Sequence, residues 1–138
     1  MKKLTISIFM AFLGIFAFGQ INQSDYYGTW VGSYANGNDV FIVNTRITAS
    51  VFNMIINGVD ENNAENELLR QEENITRWIS TANGNPDFRS EFQNGFILRT
   101  QSAEYGLTTI VLFQSNDKKY IYFPDITANG VPIIFAKQ

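Results

Sequence analysis

The sequence predicts an all-β fold: an antiparallel up-and-down β-barrel of roughly eight to ten short strands, with a β-sandwich as the alternative closure. Three observations carry this reading. Short apolar runs rich in Val, Ile, Thr, Tyr and Phe recur along the chain, and such residues fit a pleated surface. Turn signals built on Asn, Gly and Asp separate them. No stretch beyond the first twenty residues sustains a helical period.

Taken in order, residues 1–19 read as a secretory signal peptide. Lys2 and Lys3 lead an apolar core, and small side chains at Ala17 and Gly19 place cleavage before Gln20. An uncleaved anchor would need about twenty apolar residues, and polar residues arrive too soon after Gln20 for that. The lysine-led start and the FAFGQ ending resemble Gram-negative bacterial signals. Residues 20–138 are then one domain, secreted or periplasmic, with no membrane insertion once the leader is gone. Sequons at Asn22 and Asn74 matter only in a eukaryotic source.

The predicted strands cover 27–34, 39–48, 51–57, 68–72, 75–80, 87–93, 96–100, 107–113, 119–123 and 131–136. The first opens with YYGTWVGSY, and Ala35-Asn36-Gly37-Asn38 turns it into the second. Further turns fall at 81–86, Gln93-Asn94-Gly95, Glu104-Tyr105-Gly106, Ser115-Asn116-Asp117 and 127–130. Alternation in 87–93 puts Phe88 and Phe92 on one face and Arg89, Glu91 and Gln93 on the other. The acidic stretch 60–67 reads as a solvated loop, a short helix capping one end of the barrel or the frayed start of a strand, with the loop favoured over a metal site. It fails as a calcium loop because its glycine and closing glutamate are out of place.

Composition narrows the function classes. The chain has no cysteine, which removes disulfides, thiolate chemistry, Cys-ligated zinc and lipoprotein anchoring. It has no histidine, the usual general base near neutrality and the commonest metal ligand. The net charge is −3, and it becomes about −5 when Lys2 and Lys3 leave. The basic residues are scattered, which argues against nucleic acid and anionic membrane as partners. Glu72 and Glu73 adjoin across an expected turn and read as solvated rather than as an acid–base pair. No catalytic motif, metal set or cofactor is expected, and the chain reads as non-enzymatic.

With a leader, an antiparallel all-β chain and Gly28-Thr29-Trp30 in the first strand, the sequence resembles small bacterial lipocalin-like proteins of the calycin group. The resemblance implies that Gly28 lets the chain bend into the barrel floor and that Trp30 plugs the closed end. It also implies that Lys137, near the end of the last strand, packs on Trp30 as a cation–π contact worth roughly 0.5–2 kcal/mol. The group's Thr-Asp-Tyr motif is absent, and lysine stands where an arginine is usual. The fatty-acid-binding relatives insert a helix pair after the first strand, for which 35–38 leaves no room. In the competing sandwich, Trp30 is an ordinary core aromatic.

A barrel points alternate residues into its lumen. The candidate ligand-binding residues are Phe41, Val43, Phe52, Met54, Trp78, Phe88, Phe92, Leu98, Arg99 and Tyr122, all of which also serve as core fillers. Arg99 and Arg46 interrupt apolar runs. Inside, either would grip a carboxylate head group, but alternation favours both pointing outward. Tyr26 and Tyr27 close the barrel end or pack on its wall. The expected partner is a small hydrophobic or amphipathic ligand. The alternative is an envelope or extracellular module with a packed barrel that binds a protein on its outer face.

Overall fold

The computed structural model describes residues 22–83 and 91–138. A 3-10 turn, Gln23–Tyr26, precedes eight strands: β1 Gly28–Asn36, β2 Asp39–Ile47, β3 Val51–Val59, β4 Glu65–Ala82, β5 Asn94–Ser102, β6 Gly106–Gln114, β7 Tyr120–Ala128 and β8 Val131–Lys137. Each pairs antiparallel with its sequence neighbour, and β8 returns to β1 to close a barrel. The barrel, not the sandwich, is the fold. Closure removes the free edges that such β-rich sequence would otherwise expose.

The alternation seen in the sequence becomes an inside and an outside. Trp30, Val43, Ile47, Phe52, Leu98, Leu112 and Phe135 are buried within the barrel, interdigitating into one core. Asn36 pairs with Asp39, so Gly37 and Asn38 form a two-residue hairpin turn, with Gly37 at φ 64°. Gly95 answers a different need. A Cβ there would lie 2.0 Å from the Leu112 carbonyl oxygen, so β5 and β6 approach as they do only because the side chain is missing.

Three departures from the sequence-based strands have physical causes. The runs 68–72 and 75–80 are one long strand, β4. Its expected break at Glu73-Asn74 does not occur because Glu73 turns inward and finds hydrogen-bond donors there. The acidic loop is shorter than expected. Asp60 accepts from the amides of Asn62 and Ala64 to form a tight turn, and residues from Glu65 onward already belong to β4. In the expected strand 87–93, residues 87–90 lie outside the described residues, and 91–93 are not strand. Beyond the expected 119–123, β7 runs on through Pro124 to Ala128. Proline is tolerated there because no β6 partner is registered against that stretch, so no ladder donor is lost.

The wall is uneven. Most neighbouring strands register along nearly their whole length, as β1 and β2 do. β6 and β7 meet only at Phe113–Tyr122 and Gln114–Ile121. β8 and β1 meet only at Trp30–Lys137 and Val31–Ala136. The β7–β8 hairpin is therefore tied to its neighbours at one end of the barrel and separates from them toward the other.

Candidate functional site

The tied end is sealed. Gly28 adopts φ 128°, a conformation that bends the chain from the 3-10 turn into β1. Trp30 is fully buried, and its indole Nε1 donates to the Tyr26 carbonyl at 2.9 Å. Lys137 Nζ stands 5.4 Å from the Trp30 ring centroid. Tyr26 lies under the same floor, its hydroxyl donating to the Asn94 carbonyl at 3.2 Å and its ring edge-on to Phe96 at 5.2 Å. Burial pushes the Tyr26 phenol well above the usual tyrosine range, and the neighbouring Asp25 pushes it further. Gln114 donates to the Asp25 carbonyl at 2.9 Å, pinning the turn to β6. Gly28, Trp30 and Lys137 thus assemble into one plug.

The opposite end carries apolar side chains exposed beside its turns. Tyr34 and Phe41 stack with centroids 4.8 Å apart on adjacent strands. Among the described residues, the large hydrophobic side chains left exposed, apart from Tyr120, lie toward the turns at this end: Val40, Leu68, Leu69, Tyr105, Leu107 and Val131. Between the two ends a cavity of about 140 Å³ is lined by Phe52, Met54, Gln71, Thr109, Ile110, Val111, Phe123, Asp125 and Ile126. Residues of both β6 and β7 line it, so it lies at the seam where those strands separate.

Polar groups enter this interior from β4 and β5. Glu73 is 1% exposed, and its Oε2 accepts from Gln71 Nε2 at 2.5 Å. Its Oε1 accepts from the Thr100 hydroxyl at 3.2 Å and from the Thr108 hydroxyl. Three donors replace the water that a carboxylate loses on burial. The solvated reading of Glu73 is corrected accordingly. Thr45 is also fully buried, and its Oγ1 has no hydrogen-bond partner among the described residues. Thr45, Met54 and Gln71 are consecutive register neighbours across β2, β3 and β4, which sets the lone hydroxyl in the same row as two cavity-lining residues.

Among the residues singled out from sequence, Phe52 and Met54 line the cavity. Val43 and Leu98 are fully buried core, and Phe41 belongs to the stack at the end opposite the plug. Trp78 sits at the sealed end, its Nε1 donating to the Ala49 carbonyl at 2.9 Å and its ring edge-on to Tyr27. Phe92 and Tyr122 are corrected: with Phe113 they form a second cluster outside the lumen. The register explains it, since Tyr122 pairs with outward Phe113 while Ile121 takes the inward position opposite Gln114. Asn83 donates to the Tyr122 hydroxyl at 2.7 Å, holding residue 83 against that outer wall. Phe88 lies outside the described residues.

Arg99 is likewise not in the lumen. It is exposed on the outer wall, directly opposite Arg77, and Arg46 is exposed too. The outward orientation that alternation favoured is the one observed. Among the described residues, outer grooves of about 490 Å³ lie beside Phe92 and Asp117 and of about 570 Å³ beside Arg77 and Arg99. Gln71, Glu73, Thr100 and Thr108 were missed as site residues. Their signal was parity: Gln71, Glu73 and Ile75 share one strand face, and a buried isoleucine marks that face as inward.

Among the described residues, no three carboxylates gather as a metal site would require. The closed eight-strand antiparallel barrel is compatible with a calycin-like fold. No protein-family model matches the chain, and neither a curated protein nor a solved structure matches it.

Proposed function

We propose that this chain is a lipocalin-like carrier, acting in the periplasm or outside the cell, that binds a small apolar or amphipathic molecule inside its barrel without transforming it. One observation carries the reading: the interior is asymmetric. One end is plugged by Trp30, Tyr26 and Lys137, whereas the β6–β7 seam away from the plug holds a cavity and the far end leaves apolar side chains exposed at its turns. A barrel needed only as a packed scaffold has no use for that asymmetry. The apolar part of the ligand would replace water against Phe52, Met54, Ile110, Phe123 and Ile126, and Gln71 would orient its polar end. A cavity of about 140 Å³ suits a molecule built on a single ring, by comparison with the ~150 Å³ cavity that accepts benzene in an engineered core. The leader at 1–19 supports the compartment.

The test is native mass spectrometry of the purified chain. A non-covalent small molecule, lost on denaturation, is expected on the wild type and not on Ile110→Trp, which fills the cavity. An unliganded wild type that also fails to take up any member of a panel of single-ring compounds sinks the carrier. A second reading, a module that binds a protein, is supported by Leu107 and Leu68, which are 81% and 61% exposed.

A further inference from the structure

We infer that the ligand of this barrel carries a protonated amine, held by the acceptors of Gln71 and Asp125 that line the cavity, with the Glu73 carboxylate buried behind Gln71. The inference rests on the carrier reading and adds the head-group chemistry to it. Charge is the first argument. Asp125 lines the cavity, Glu73 is buried behind Gln71, and no cation among the described residues accompanies them. Arg46 and Arg99 are exposed on the outer wall, and Lys137 is engaged with Trp30 at the sealed end. A carboxylate head group would therefore meet two like charges, whereas an ammonium supplies the missing counter-charge.

Hydrogen-bond polarity is the second argument. The carboxylate of Glu73 only accepts, so the Gln71 side chain must turn its Nε2 toward it. The Gln71 Oε1 then points elsewhere and has no hydrogen-bond partner among the described residues, while the side chain itself lines the cavity. The site thus presents an unused acceptor, backed by a carboxylate that polarises it. An ammonium has three donors and no acceptor, and it matches this set. A hydroxyl would satisfy one acceptor and leave the buried charge as it was.

The test is isothermal titration calorimetry at neutral pH with benzylamine, benzyl alcohol and benzoate, three single-ring probes that differ at the head group. Benzylamine is expected to bind about tenfold or more tighter than benzyl alcohol, as charge-assisted hydrogen bonds exceed neutral ones, and benzoate is expected not to bind. Glu73→Gln and Asp125→Asn should each narrow the ratio of benzylamine to benzyl alcohol affinity toward one. Asp125 is exposed at the seam, so its variant carries the test even if Glu73→Gln misfolds. Equal binding of amine and alcohol, or any preference for benzoate, overturns the amine assignment while the carrier reading stands. Failure of all three probes, with no molecule bound in native mass spectra, overturns both.

Discussion

Lys137 holds its ammonium 5.4 Å from the centre of the Trp30 ring, across one of only two residue pairs that join the last strand to the first. The contact therefore fastens the barrel's closure as well as covering its plug. Trp30→Ala should destabilise the protein by about 3–5 kcal/mol, the range for deleting a fully buried large aromatic. Lys137 is exposed, so Lys137→Met should cost only about 0.5–1 kcal/mol, and Lys137→Arg should recover most of it. Urea denaturation monitored by far-UV circular dichroism measures both. A Trp30→Ala value near zero would show that the plug is peripheral.

Glu73 is expected to behave as a structural acceptor. Glu73→Ala strands the donors on Gln71, Thr100 and Thr108 and leaves a void, at a cost of about 2–4 kcal/mol. Thr100→Val removes one donor and should cost about 1 kcal/mol. Thermal denaturation of the two variants gives the comparison, and equal losses would mean that Glu73 is hydrated in solution.

Tyr26 makes the fold sensitive to alkali. Its phenol is raised in the folded state above the ordinary tyrosine value of 10.0, chiefly by burial. The folded state therefore keeps a proton that the unfolded chain releases above about pH 10. Stability is full below that pH and falls as pH rises beyond it, by up to about 1.4 kcal/mol per pH unit for this one group. Tyr26→Phe loses the hydrogen bond to Asn94 at every pH but should fall less steeply between pH 10 and 11. Denaturation midpoints across that interval test the slope, and parallel curves for the two proteins would assign the alkaline loss to another group.

Amide hydrogen exchange should report the uneven wall. Amides of Phe123, Asp125 and Ile126, which have no registered β6 partner, are expected to exchange orders of magnitude faster than those of Val43 or Leu98. Uniform protection along β7 would mean that the seam is closed in solution.

The fold was legible because period-two patterning and Asn-Gly turns are local signals. The plug was legible too, through Gly28-Thr29-Trp30 and the late Lys137. The interior was harder to read. Tyr122 resembles a lumen residue in composition, but the register at Phe113 decides its face, and register between strands is not written in either strand alone. Glu73 was hidden for a related reason. A glutamate beside another glutamate and an asparagine looks like a turn, and only its donors on Thr100 and Thr108, far along the chain, make burial affordable.

Because two residue pairs on each side hold the β7–β8 hairpin, strands β1–β6 form a cradle to which the last hairpin is fastened chiefly beside the plug. For the carrier proposed above, residence time, more than affinity, is then expected to depend on how often that hairpin parts from the cradle. Its fastening includes Trp30 and Lys137, which do not line the cavity. A substitution there, such as Lys137→Met, is expected to shorten a ligand's stay without touching the pocket, and stopped-flow displacement would reveal it.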